Sequence, residues 1–262
     1  MRSSLLIEIR DLAHAYPDGT EALRGISLHI RAEESVAVVG ANGAGKSTLL
    51  LHLNGSLISR HGTVRIGDFQ VAKAALPDIR RTVGMVFQDP DDQLFMPTVA
   101  EDVAFGPLNL KLPLAEVERR VASALERVGA AHLRDRPPYK LSGGEKRLAA
   151  IATVLAMEPA ILVMDEPSSS LDPRARRTLI ELLAGFGHTK IIATHDLDLV
   201  LDLCPRTIVL RQGQVAADGP TDEIFADGRL LAACHLEQPL RLQACPVCGE
   251  KSGRLPQKGE RL

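Results

Sequence analysis

The sequence predicts an α/β fold: a mainly parallel sheet, an N-terminal antiparallel β subdomain and an inserted helical subdomain. Three observations carry this. Residues 35–39, 83–87, 161–164 and 190–194 are short apolar runs of the kind that form strands buried on both faces. Helical patterns separate those runs, as a parallel sheet requires. From about Asp89 to Met157 the pattern is helical throughout.

The elements follow in order. Residues 5–10 alternate apolar and polar, Pro17-Asp18-Gly19-Thr20 makes a turn, and residues 26–30 alternate again. After the strand at 35–39 comes a glycine-rich turn and an apolar helix from Lys46 to about Leu53. In the insert, Val117, Val121, Leu125 and Val128 share one helix face, and Gly129 stops that helix. The run 190–194 is taken as the last core strand. From about His235 the periodicity is lost. The division is therefore 1–88 with 158–233 as a discontinuous core, 89–157 as the helical subdomain, and 234–262 as a tail.

Composition narrows the function. The 262 residues are 45% hydrophobic and 24% charged, with a net charge of −2. That balance argues against a partner gripped through phosphate charge, so no nucleic acid is expected. Trp is absent and aromatics are only 3%, which removes base-stacking surfaces. No apolar stretch approaches the roughly 18 residues of a membrane span, and the first residues form no signal peptide. A cytosolic location follows, with any membrane link made through a partner.

The strongest motif is Gly40-Ala41-Asn42-Gly43-Ala44-Gly45-Lys46-Ser47-Thr48, a P-loop between a strand and a helix. Its glycines let backbone N–H groups turn toward phosphate oxygens, and the helix start adds positive charge. Lys46 reaches the phosphates, and Ser47 offers its hydroxyl to Mg²⁺. The run at 161–164 ends in Asp165-Glu166. Asp165 is placed to hold Mg²⁺, and Glu166 to polarise an attacking water.

Leu141-Ser142-Gly143-Gly144-Glu145, ahead of that acidic strand, resembles the signature of ABC-type ATPases. Read physically, it is a second anion-binding helix start without a lysine of its own. The resemblance covers roughly residues 5–230. It implies an ABC ATPase core of the P-loop NTPase class, binding ATP and Mg²⁺. Ser142, Gly143, Gly144 and Glu145 would then face ATP held by a second ATPase chain, identical or not. Tyr16 matches the aromatic that stacks on adenine, and Gln88 the loop glutamine that senses Mg²⁺ and the water. Asp172, in Ser170-Leu171-Asp172, matches the segment crossing the dimer interface. His195 matches the histidine that contacts the γ-phosphate. Two departures are Glu145, where many relatives have Gln, and Ser168-Ser169-Ser170, where Thr and Gly are common. The implied cycle closes two chains over two ATP molecules; hydrolysis reopens them.

A finer resemblance lies in Phe87-Gln88-Asp89-Pro90-Asp91-Asp92-Gln93-Leu94-Phe95 and in Glu101-Asp102-Val103-Ala104-Phe105-Gly106-Pro107. Both look like the ATPases of energy-coupling-factor importers, as does Leu51-His52-Leu53-Asn54-Gly55. It implies a transmembrane coupling subunit and a substrate-binding membrane subunit, with the chain peripheral on the cytoplasmic face of the inner membrane. Asp91, Gln93, Leu94 and Phe95 are the docking residues it assigns. Residues 145–152 and 173–177 resemble the cobalt/nickel type more than the vitamin type; vitamin import, such as of biotin, stays open. A soluble ABC ATPase acting on nucleic acid or ribosomes is the rival, as is a P-loop kinase or GTPase. The tail adds Cys245-Pro246-Val247-Cys248, half of a zinc-ribbon pattern, which Cys234 and His235 or a second chain could complete.

Overall fold

The computed structural model describes residues 5–169 and 171–243. The chain starts with β1 (Leu5–Ala15) and β2 (Glu21–Arg31), then β3 (Ser35–Val39) and helix α1 (Lys46–Leu53). Next come β4 (His61–Ile66), β5 (Phe69–Gln70), α2 (Leu76–Thr82) and β6 (Val83–Val86). Three helices follow: α3 (Val99–Asn109), α4 (Leu114–Arg127) and α5 (Gly143–Leu155). The chain then returns through β7 (Ile161–Asp165), α6 (Pro173–Ala184), β8 (Thr189–Ala193) and α7 (Leu197–Leu203). It closes with β9 (Arg206–Arg211), β10 (Gln214–Pro220), α8 (Thr221–Ala226) and α9 (Gly228–Ala233).

Two sheets result. One is antiparallel, in the order β2-β1-β4-β5. The other runs β10-β9-β3-β8-β7-β6. Its five strands from β9 to β6 pair in parallel, and β10 joins antiparallel at the edge. Every residue of β6, β7 and β8 is buried, because both faces of this sheet are covered. Alternate residues serve different cores. Val36, Val38, Val163 and Ile191 pack toward the antiparallel sheet, with Leu49, Leu50 and Leu53 of α1. Ala37, Val39, Leu162, Met164 and Ile192 pack toward the helices, with Ile151, Leu179 and Val200. Each Val, Leu, Ile or Met among these contributes roughly 1.5–3 kcal/mol of burial.

Two expectations change. The run at 190–194 is not the last core strand: β9 follows and pairs with β3, with Thr207, Ile208, Val209 and Leu210 all fully buried. Arginines at both ends of that strand, Arg206 and Arg211, hide its short apolar centre in a sequence reading. Nor does order stop near His235. Residues 240–242 form a 3₁₀ turn whose Leu240 N–H donates to Asp198 Oδ2 at 3.0 Å, and the Arg241 guanidinium donates to Asp202 Oδ2 at 2.6 Å. Polar bonds to α7, rather than an apolar period, tie this segment down.

β3, β8, β7 and β6 are side by side and parallel, so their carboxyl ends share one edge. The segments leaving that edge begin at Gly40, Thr194, Glu166 and Phe87. In such sheets this is the edge where ligands bind. Among the described residues no helix is long and apolar enough to cross a membrane.

Candidate active site

The P-loop wraps the start of α1. Gly45 has φ +103°, and a Cβ there would stand 2.6 Å from the Ala22 carbonyl oxygen, so only glycine fits. A Cβ on Gly40 would run into the Leu210 carbonyl oxygen. Lys46 is buried, and its Nζ donates to the carbonyls of Gly40 at 2.8 Å and Ala41 at 3.3 Å. The ammonium is thus folded back over the loop. A cleft of about 570 Å³ opens here. It is lined by Tyr16, by residues 42–48, and by Gln88, Asp165, Glu166 and His195.

The acids differ in their surroundings. Asp165 ends β7, and its Oδ1 is buried without a hydrogen-bond partner. Burial pushes its carboxyl up, against the pull of the Ser47 hydroxyl and the Lys46 ammonium. An orphaned buried carboxylate oxygen beside a serine hydroxyl is a donor set suited to a hard cation such as Mg²⁺. Glu166 sits at φ +46°, a strained conformation for a side chain of its size. That backbone is fixed by its N–H, which donates to the Ala193 carbonyl at 2.8 Å. Its Oε2 accepts from the Thr194 hydroxyl at 3.0 Å and the His195 N–H at 3.3 Å, and lies 2.8 Å from His195 Nδ1. β8 lies between β3 and β7, which is why His195 emerges between the P-loop and the acids. The His195 side chain is 67% exposed, while Glu166 is buried.

Tyr16 also reaches the cleft, its hydroxyl 3.0 Å from Thr48 Oγ1. Its ring meets His14 edge-on, with centroids 4.9 Å apart, and His14 meets His52 at the same separation. The sequence reading missed Thr20, Glu21 and Ala22, which line the cleft from the start of β2. Nothing in their spacing marks them; the P-loop is simply folded against that strand.

Ser142, Gly143, Gly144 and Glu145 do not line this cleft. They begin α5 through a capping box: Glu145 N–H donates to Ser142 Oγ at 3.3 Å, and Ser142 N–H to Glu145 Oε2 at 2.8 Å. Those bonds hold the Glu145 carboxyl below the usual range, with help from Arg136. The departure from glutamine thus keeps the cap. Ser142 and Gly143 are exposed. Asp172 caps α6, accepting from the Arg174 and Ala175 N–H groups at 2.9 Å. A Cβ on Gly144 would stand 3.3 Å from Ala175 Cβ, so the two helix starts are neighbours.

The docking expectation divides. Leu94 is 7% exposed and belongs to the core. Gln93 is turned inward: its Oε1 accepts from Phe87 N–H at 3.1 Å, and its Nε2 donates to the Ala150 carbonyl at 2.8 Å. Neither side chain offers itself to a partner: Leu94 is buried, and the half-buried Gln93 has its amide engaged by Phe87 and α5. Asp91 stays exposed and pairs with Lys146 Nζ at 2.6 Å. Phe95 is 62% exposed and meets Phe105 edge-on at 5.0 Å. Cys245 and Cys248 lie outside the described residues, as does Ser170. Cys234 is buried in the apolar core, which removes it from any surface metal site.

A P-loop with acids and a histidine at adjoining strand ends defines a nucleoside-triphosphate hydrolase site. The chain belongs to the ABC transporter family, whose model matches residues 23–169, and is an ATP-hydrolysing transporter subunit. It is 70% identical over 244 residues to a Geobacter sulfurreducens protein named, without a substrate, among ABC transporter ATP-binding proteins; this spans 93% of this chain and 98% of that protein. It is 50% identical to the energy-coupling factor transporter ATP-binding protein EcfA of Methanothermobacter thermautotrophicus, over 89% of this chain and 77% of that one. Among solved structures, cbiO1 of Clostridium perfringens, described as part of the ABC transporter complex cbiONQ, matches with a TM-score of 0.78 and 40% identity. That match covers 88% of this chain and 94% of cbiO1. The ATP-binding cassette MJ0796, in a dimeric post-hydrolysis state bound to ADP and Pi, matches with a TM-score of 0.75 and 27% identity, over 82% of this chain and 98% of that one.

Proposed function

We propose that the chain energises an energy-coupling-factor importer that takes up cobalt or nickel ions. It works on the cytoplasmic face of the inner membrane, as one of a pair of ATPase chains, with a transmembrane coupling subunit and a substrate-binding membrane subunit. The observation that carries this is the segment from Gln88 to Phe95, with Phe95 and Phe105 exposed as one aromatic patch. The EcfA relative and the cbiO1 structure support the same reading. We divide the chain into a core of 1–88 and 158–233, a helical subdomain of 89–157 and a tail of 234–262.

In the cleft, Tyr16 stacks on the adenine, while the P-loop amides and Lys46 hold the phosphates. Ser47, Gln88 and Asp165 would hold Mg²⁺, which neutralises phosphate charge when bound. Glu166 orients and polarises the attacking water. His195 holds the γ-phosphate from its remaining nitrogen, Nδ1 being engaged by Glu166. The exposed start of α5 and Asp172 meet the second chain, so each site is completed in trans. Docking to the membrane partner falls to Asp91 and Phe95.

The test is uptake of labelled nickel, cobalt or biotin by cells carrying or lacking this chain with its membrane partners. Metal uptake that depends on the chain is the expected result. Chain-dependent biotin uptake alone would move the reading to vitamin import. No dependence for any of them, and no co-purification with a polytopic membrane protein, would overturn it.

A further inference from the structure

Arg147 lies in α5, two residues beyond the signature, and is 3% exposed. Its guanidinium donates to the Phe87 carbonyl at 2.7 Å from one terminal nitrogen and to the Gln88 carbonyl at 2.6 Å from the other. The second nitrogen also reaches Ser169 Oγ at 3.4 Å, on the loop between Glu166 and Asp172. A buried cation ordinarily takes a carboxylate partner. This one spends its fork on two successive main-chain carbonyls; the Asp89 and Asp165 carboxylates act on its charge from a distance, and neither is hydrogen-bonded to it among the described residues. The opposite side of Phe87 is held from α5 as well. Its N–H donates to Gln93, and Gln93 Nε2 donates to the Ala150 carbonyl and to Thr153 Oγ1 at 2.7 Å.

We propose that Arg147 is a positioning residue for ATP hydrolysis. Its fork sets the Phe87–Gln88 main chain, which presents the Gln88 side chain to the cleft. This ties the Gln88 of one site to the helix whose start carries Ser142. The inference rests on the role given to Gln88 under Proposed function. A planar fork is needed because two successive carbonyls must be held at once; a lysine ammonium is a point charge without that geometry.

The test uses the full chain as wild type, Arg147→Met, Arg147→Lys, Gln88→Ala and the Arg147→Met/Gln88→Ala double variant. ATP affinity without Mg²⁺, kcat, and hydrogen exchange of residues 87–93 are measured. Arg147→Met should lower kcat by ~10- to 100-fold, the scale set by misplacing a reacting group. ATP affinity should stay within ~2-fold, and exchange should rise at 87–93 but not in α1. Arg147→Lys should recover part of kcat. In the Gln88→Ala background, adding Arg147→Met should cost less than ~2-fold, because the two act as one unit. Equal losses with and without Gln88, or affinity falling together with kcat, would overturn the proposal. Gln88→Ala at wild-type turnover would instead overturn the role of Gln88 itself. If Arg147→Met fails to fold, Arg147→Lys carries the same cycle with a smaller loss and the same criterion.

Discussion

The chain contains two glycine-rich helix starts, and they differ in almost everything but the backbone. The start of α1 is sunk into the body: Gly45 abuts β2, Lys46 is buried, and Asp165 and Glu166 stand across the cleft. The start of α5 is exposed and satisfied by its own Ser142–Glu145 capping box. Both have N–H groups and a helix dipole suited to anions. At α1 the loop lysine and two acids from another strand line one cleft with those N–H groups, whereas at α5 Glu145 caps the helix itself and Lys146 pairs with Asp91. One start therefore has the parts of a phosphate site around it, and the other, on the function proposed above, supplies half of one. The lesson is that a helix N-terminus becomes a reaction site only through what other strands bring to it.

The contrast can be broken most sharply at Glu166. Glu166→Gln should cut ATP turnover by ~10²–10⁴-fold, the usual worth of a positioned base. ATP binding should persist, with an ATP-dependent dimer in gel filtration. Turnover within a few-fold of wild type would remove the base from Glu166. Lys46→Ala should weaken ATP binding itself, by ~10-fold or more, since a charge-assisted phosphate bond is lost at about 1.5–3 kcal/mol. An unchanged nucleotide titration would count against that.

The other helix start is probed by Ser142→Asp, which keeps a good N-cap but sets a carboxylate where a partner's phosphate would come. ATP affinity of the monomer should move less than ~2-fold, while turnover and ATP-driven dimerisation fall by ~10-fold. If both starts served one ATP in cis, affinity would drop as well.

The smallest expected effect lies beneath Tyr16. His52 is fully buried, with Nδ1 2.8 Å from the Thr48 carbonyl and Nε2 without a partner. Burial holds its pKa below 6.5, and His14 opposes its charge further. The unfolded chain thus binds the proton more readily, so stability is present above about pH 6.5 and is lost as pH falls from there toward the folded pKa. His52→Gln should flatten that part of the pH–Tm curve. An unchanged slope would show that other groups set it.

Much of this was legible in the sequence because the signals are local. The P-loop sits in its predicted strand-to-helix context, and the strands at 35–39 and 161–164 were readable from unbroken aliphatic runs. β9 was not, because four buried residues between two arginines are too short a pattern to stand out. Leu94 and Phe95 are adjacent and equally apolar, yet one is buried and the other exposed. No periodicity separates them, since the turn after Gln88 decides which side faces α5. Arg147 reads as an ordinary surface arginine of an amphipathic helix until its carbonyl partners are seen.

By itself, then, the amino-acid order determined the α/β class, the phosphate loop, the paired acids and the second helix start, because each is written in contiguous residues whose backbone preferences and polarity act locally. The tertiary structure alone decided which of those pieces meet. The strand order β3-β8-β7-β6 sets His195 against Glu166, and α5 takes hold of the Gln88 main chain. Those contacts join residues far apart in the chain. They arise only when two apolar faces of one sheet are buried together, and that is a property of the whole packing rather than of any one segment.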